Sequence, residues 1–249
     1  MSEIKIFGVP GIPEITKGDD LAALITESVR SSGTTIIERD IFVIAQKVVS
    51  KSEGQVFHLD SVTPSSEAIE WAERYEKDPR MVEVVLRESR RIVRMDRGVI
   101  IAETRQGFVC ANAGVDASNT ADGTVVLLPE DADGSARKIR SYLEHEFQVR
   151  VGVIVSDTFG RPWREGLVNV ALGLAGIGPL IDYRGQLDSF GRPLRVTMIA
   201  VADELASAAE LVMRKSVGIP VVIVRGYAYE ERDGKAIELV RPAEQDLFR

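Results

Sequence analysis

The chain predicts a mixed sheet of the α/β or α+β class. Three observations lead there: short apolar runs bounded by polar turns recur along the chain, helical patterns fall between them, and a β, α, β succession occupies the C-terminal part. With 249 residues, 45% of them hydrophobic, the chain can bury a large core as one big domain or two small ones.

The opening reads as a short strand, Ile4 to Val9, followed by a stiff loop, Pro10-Gly11-Ile12-Pro13-Glu14-Ile15. Gly18-Asp19-Asp20 then introduces an amphipathic helix to about Ser31, with Asp19 as its natural N-cap. A strongly apolar strand is expected over Asp40 to Val49, leading into Ser50-Lys51-Ser52-Glu53-Gly54. Residues 65–94 have helical patterning with a break at Asp78-Pro79, where Asp caps and Pro fills the first turn of a second helix. Arg87, Arg90, Arg91 and Arg94 could make a phosphate stripe, but interleaved Glu83 and Glu88 favour ordinary surface pairing.

Three strands are predicted next, Gly98 to Glu103, Gly107 to Asn112 and Thr124 to Leu128, with a polar turn-rich loop, Asp116 to Gly123, between the last two. A helix from Ser135 to Phe147 presents Ile139, Leu143 and Phe147 and feeds a strand over Val149 to Val155. A second crossover follows: Arg195 to Ala202 as strand, Asp203 to Ser216 as an Ala-rich helix, Pro220 to Val224 as strand. The glycines of Gly173-Leu174-Ala175-Gly176-Ile177-Gly178-Pro179 imitate a phosphate loop without its strand-to-helix context, and read instead as a loop against a neighbouring backbone.

Composition narrows the function. A net charge of −7 removes a whole-chain basic field for nucleic acid, so bound phosphates need local cations. The single Cys110 excludes an intramolecular disulfide framework, fits a reducing cytosol and, in a strand-like run, reads as a buried inert thiol. The N-terminus lacks the features of a signal peptide, and no apolar stretch reaches the ~18 residues of a membrane span. A cytoplasmic protein without nucleic-acid or membrane partners is therefore expected.

The densest chemistry lies in Ser156-Asp157-Thr158-Phe159-Gly160-Arg161-Pro162-Trp163-Arg164-Glu165-Gly166, read as one turn after the Val149 to Val155 strand. A strand ending in Ser-Asp-Thr brings a carboxylate and two hydroxyls to its C-terminal edge, where open sheets bind ligands. Such oxygens suit a hard cation, Mg²⁺ or Mn²⁺, and Arg161 and Arg164 could clamp phosphate or carboxylate oxygens. The plain alternative is a turn with a solvated ion-pair network. Asp116 with Asn119, Asp157 with Thr158, and Asp203 with Glu204 all lie at predicted strand ends; converging, they would cage one or two divalent cations against phosphates. Asp203 alone reads more simply as a helix cap. Lys47 and Lys51 could give point charges to phosphate, with only one of them expected to face a site. His58 and His145 lack a Ser or Cys partner motif, so a hydrolase triad is rejected.

Six blocks, in order along nearly the whole chain, resemble the coenzyme F420-0:γ-glutamyl ligase family. They are Pro10 to Glu14, Gly18 to Leu21, Val48 to Gly54, Asn112 to Asn119, Ser156 to Gly166 and Ala202 to Ala206. The resemblance implies an α+β, mixed-sheet, two-part fold: residues 1–249 as a single catalytic unit of two intertwined subdomains, homodimeric, with no fused flavin domain. It further implies a ligase that uses GTP and two divalent cations, Mg²⁺ or Mn²⁺ with K⁺ as a further candidate, to join L-glutamate to coenzyme F420-0. Ile12, Pro13, Glu14 and Ile15 would line the nucleotide site with Gln46, Lys51 and Asn119, and a later segment would add Met213, Lys215 and Gly218. Asp116 and Asp157 would hold one metal; Asp157 with Thr158 would help place a second, and Glu204 joins the metal set. Asp157, Arg161 and Arg164 are the expected catalytic residues, acting through an acyl phosphate. The rivals are an amide ligase on a different acid and a catalytically silent nucleotide-binding protein or dimer scaffold. No dimer patch is readable in the sequence, though the long apolar Leu167 to Leu180 segment could supply one.

Overall fold

The computed structural model describes residues 3–247. In chain order the elements are β1 (Lys5–Gly8), α1 (Leu21–Ser31), β2 (Ile41–Ala45), α2 (Gln46–Ser52), β3 (Val56–His58), α3 (Ser66–Tyr75), α4 (Pro79–Glu88), β4 (Ser89–Asp96), β5 (Val99–Thr104) and β6 (Val109–Ala111). They continue with β7 (Thr124–Val126), α5 (Ala132–Phe147), β8 (Gly152–Arg161), β9 (Arg164–Ala175), β10 (Ile181–Asp182), β11 (Met198–Ile199), α6 (Val201–Met213) and β12 (Val221–Arg225). The class is α+β with a mixed sheet.

The main sheet has the order β1-β12-β2-β8-β9, in which only β2 and β8 run parallel. Its central strands are apolar on both faces because both are covered. Ile41, Val43, Ile154 and Val222 pack under α6, while Phe42, Ile44, Val153 and Ile223 pack against α1 and α5. A separate cluster, built on Ala68, Ala72, Val82, Val85, Ile100, Ala102 and Val125, unites α3, α4, β5 and β7. Beside it stand a three-stranded sheet, β4-β5-β6, and the β3-β7 pair. Among the described residues no helix is long and apolar enough to cross a membrane.

Several expectations are corrected by tertiary pairing. The strand expected to Val49 stops at Ala45, whose N–H donates to Pro220 O, and the chain coils into α2. Residues 89–94 are strand rather than helix, because β5 supplies an antiparallel partner across two bulges. The arginines of this stretch, and Arg87 at the end of α4, pair on the surface, as expected: Arg87 with Glu83, Arg90 and Arg91 with Glu103, Arg94 with Asp96. Asp20 rather than Asp19 caps α1, accepting from Ala23 N at 3.0 Å, while Asp19 ties down Thr16. Asp78 and Pro79 start α4 as expected.

The Ser156 to Gly166 segment is not a turn. β8 runs on to Arg161 and folds back as β9, with Trp163 at the tip 87% exposed. The expected strand over Arg195 to Ala202 shrinks to Met198–Ile199, and α6 starts at Val201 with Ala200 in the cap position. Asp203 is thus no cap; its Oδ1 accepts from Ala171 N on edge strand β9 at 2.9 Å. Gly173 lies within β9 rather than in a loop, yet the close backbone approach holds: a Cβ there would run into the Ala132 carbonyl oxygen.

Candidate active site

Where β2 ends at Ala45 opposite Ser156, the parallel pair opens into a cleft of about 690 Å³. Its walls are the loop after β1, helix α2, the Asn112 to Asn119 loop, residues 156–160 of β8 and the exit of α6. This is the C-terminal edge of a parallel strand pair, where the helix that follows one strand and the polar loops around it converge.

Helix α2 presents Lys47 and Lys51 one turn apart, so both face the cleft, against the expectation of one. Lys47 Nζ donates to Asp116 Oδ2 at 2.9 Å and to Ser118 O and Oγ at 2.6 and 2.8 Å. Lys51 pairs with Glu14 of the first loop. Burial works against ionisation of Asp116, but the Ser118 N–H, 2.7 Å from Oδ1, and the Lys47 ammonium outweigh it, leaving the carboxyl below its usual range. Asp157 goes the other way. Burial first, and the Asp116 charge second, push it up to about 6 despite the Thr158 N–H and the Lys215 and Lys47 charges. Two carboxylates that face one cleft and are driven apart in pKa are a recurrent feature of functional sites.

Across from them Thr158 Oγ1 donates to Asn169 Oδ1 at 2.6 Å, and Asn169 Nδ2 donates to Glu210 Oε2 at 3.1 Å. Lys215 Nζ hydrogen-bonds Thr158 Oγ1 and stands 3.5 Å from Glu210 Oε1. Ser156 Oγ, in a residue 2% exposed, has no hydrogen-bond partner among the described residues although it borders the same cleft. An unspent buried hydroxyl beside carboxylate and threonine oxygens fits a hard oxygen-seeking cation or the oxygens of a ligand.

The structure brings Ile12, Pro13, Glu14, Ile15, Gln46, Lys51 and Asn119 to the cleft, together with Met213, Lys215 and Gly218 of the α6 exit. Gln46 is buried, and its Nε2 donates to Ser50 Oγ and Leu127 O, which leaves the main chain and Oε1 for any ligand. Asp116, Asp157 and Thr158 of the metal set also line it. Glu204 does not: it lies in the first turn of α6, whereas the cleft takes the last turn, roughly 13 Å further along a helix rising 1.5 Å per residue. The three acidic turns therefore do not converge. Among the described residues no three His, Cys, Asp or Glu side chains form a metal-holding group.

Arg161 and Arg164 are carried to the hairpin tip and do not line the cleft; Arg161 Nη2 donates to Glu165 O at 2.9 Å. Cys110 does line it, but burial, and then the Asp157 charge, push its thiol up to about 12, which makes it inert. Exposed His58 and His145 lie elsewhere. Sequence reasoning offered the Ser156 hydroxyl with its neighbours but missed Asn169 and Glu210. Asn169 had no motif around it, and Glu210 sits in an Ala-rich helix at a position that reads as solvated.

The profile of the F420-0:gamma-glutamyl ligase family matches residues 11–226. The chain is 48% identical over 249 residues to the coenzyme F420:L-glutamate ligase of Methanothermobacter thermautotrophicus, covering 99% of each protein. It is 49% identical to that of Methanopyrus kandleri (99% and 98% covered) and 40% identical to that of Archaeoglobus fulgidus (99% and 96% covered). With matches of this depth along almost its whole length, and with four of the six sequence blocks contributing to one cleft, the chain belongs to the F420-0:gamma-glutamyl ligase family.

Proposed function

We propose that the protein joins L-glutamate to coenzyme F420-0 in a GTP-dependent, divalent-metal-dependent reaction, acting as a homodimer. The observation that carries this reading is the cleft itself. Three ammoniums, two carboxylates of opposed pKa and several hydroxyls face one cavity large enough for a nucleotide and part of a second substrate, in a member of this family.

Lys47, Lys51 and Lys215 offset phosphate charge, and the backbone of Ile12 to Ile15 lines the nucleotide. Asp116, Asp157 and Thr158 would hold Mg²⁺ or Mn²⁺; when bound, the metal neutralises phosphate charge and aligns the oxygens for in-line transfer. In the first step the acceptor's carboxylate oxygen attacks the γ-phosphorus and GDP leaves. In the second the glutamate amine attacks the acyl carbon, losing a proton, and inorganic phosphate leaves. Lysine ammoniums around the transferring group stabilise charge without forming a covalent enzyme intermediate, consistent with a cleft whose single thiol is inert.

Mass spectrometry of the coenzyme precursor after incubation with enzyme, GTP, Mn²⁺ and L-glutamate tests this, with a control lacking GTP. The expected result is a GTP-dependent gain of one or more glutamyl residues. No gain, with GTP cleaved when another acid is offered, would move the chain to a sister ligase; no cleavage with any acid would leave a nucleotide binder.

A further inference from the structure

The Thr158 side of the cleft is organised around a positive charge that the chain itself now provides. Thr158 spends its proton on Asn169 Oδ1, so its oxygen faces the cleft as an acceptor. Asn169, 2% exposed, is fixed in that sense because its Nδ2 is donated to Glu210 Oε2. The second Glu210 oxygen, Oε1, is left turned toward Lys215, whose ammonium lies between it and Thr158 Oγ1. A hydroxyl oxygen and a carboxylate oxygen thus share one cation, and the unpartnered buried Ser156 hydroxyl borders the same space. Lys215 holds that place from an exposed position: its side chain is 62% exposed, it follows the end of α6, and the preceding Arg214 holds φ +51°, outside the comfortable range of an L-residue.

We propose that Glu210, oriented by Asn169, is the carboxylate that completes the Thr158 cation position, and that the Lys215 ammonium occupies this position until a divalent cation displaces it toward phosphate. Glu204, at the far end of the same helix, has no part in it. The remaining ligands would be water and phosphate oxygens, as is usual for Mg²⁺ and Mn²⁺. Asn169 acts here as a positioning residue, fixing both the hydroxyl's proton and the carboxylate's free oxygen, as outer-shell partners of metal ligands do. The inference rests on the reading of Thr158 as a metal-binding residue.

Mn²⁺ binding by the intact protein, followed by electron paramagnetic resonance with and without a non-hydrolysable GTP analogue, separates the two. Thr158→Val tests the underlying reading: if it keeps the wild-type Mn²⁺ stoichiometry and affinity, Thr158 is no ligand and both ideas fall. With Thr158→Val defective, Glu210→Gln should lose one Mn²⁺ per protomer or weaken it by at least ~10-fold, Asn169→Leu should weaken the same ion by ~10–100-fold, and Glu204→Gln should match wild type. Wild-type binding by Glu210→Gln, or a defect in Glu204→Gln, overturns the assignment. Lys215 is exposed, so Lys215→Met is expected to fold whatever the fate of the buried variants. It should bind Mn²⁺ more tightly than wild type when no nucleotide is present, and unchanged or weaker binding overturns the displacement.

Discussion

Asp157 carries the sharpest energetic signature of any single residue in the cleft. Its carboxyl titrates near 6 instead of 3.8, chiefly because burial disfavours the charge. A carboxyl raised in the folded state binds its proton more tightly than the unfolded chain does, so stability falls as pH rises from about 4 through 6, and the full penalty applies above that window. Two pKa units correspond to about 3 kcal/mol. Asp157→Asn should therefore be more stable than wild type at pH 7, by up to about 3 kcal/mol, with the advantage gone at pH 4, while ligase turnover is abolished. Urea unfolding at both pH values checks the first part, and an advantage that persisted at pH 4 would contradict it. Metal affinity should likewise decline as pH falls through about 6, because the protonated acid is a poor ligand. Arg214 is the second residue of note: its φ of +51° with ψ of 173° is glycine-like backbone. Arg214→Gly should stabilise by about 1 kcal/mol, measured by thermal unfolding, since the strain relieved is of order 1–3 kcal/mol and glycine's added chain entropy offsets part of it.

Two contacts between elements fix the platform under the cleft. Gly173 lets β9 lie directly on the first turn of α5; Gly173→Ala would drive a Cβ into the Ala132 carbonyl, a backbone atom that cannot swing aside. The variant should lose about 2–3 kcal/mol or more in denaturant unfolding, and a loss under ~0.5 kcal/mol would mean that the two elements are not in this contact. At the other end of the sheet Asp40, 1% exposed, takes Arg225 in a two-point grip, Nε to Oδ1 at 2.8 Å and Nη2 to Oδ2 at 2.6 Å, and also accepts from Ile37 N. This ties β12 to the entry of β2. Asp40→Ala leaves a half-buried guanidinium unpaired and should cost about 3–5 kcal/mol, whereas the double replacement Asp40→Leu with Arg225→Met should cost clearly less. The same logic explains Asp203 and Asp133, whose carboxylates accept the Ala171 and Leu174 N–H groups of edge strand β9. Those bonds satisfy donors that a sheet edge would otherwise present to other chains.

For the whole molecule, the cleft is the meeting place of two separately packed bodies of side chains. Helix α2, the first loop and β8 belong to the main sheet, while the Asn112 to Asn119 loop extends from the β4-β5-β6 sheet and leads to β7. Lys47 to Asp116 is an ion pair across that seam. A ligand filling the cleft binds only the assembled form, so a non-hydrolysable GTP analogue with Mn²⁺ at 100 times its Kd should add about 2.7 kcal/mol. For a chain of this length that is a rise of roughly 5–10 °C in the unfolding midpoint. Calorimetry with wild type and Lys51→Met checks it: the shift should shrink in the variant, and its absence in wild type would remove the nucleotide from this cleft.

The sequence by itself determined the local grammar: which stretches are apolar enough to be strands, where Asp78 and Pro79 start a helix, which polar loops carry chemistry, and, through six ordered blocks, the family. Those features depend on neighbours a few residues away, so they survive in one dimension. Only the tertiary structure decided the rest. Whether residues 46–52 and 89–94 are helix or strand depended on a pairing partner distant in the chain, and the Ser156 to Gly166 segment became a hairpin because β9 was there to receive it. Both α2 lysines reached the cleft because the chain coiled rather than extended. Glu204 and Glu210 are alike in type and lie on one helix; the direction in which α6 runs past the sheet sends one away from the cleft and the other into it. That choice is set by packing against β9 and β12, and no short window of residues records it.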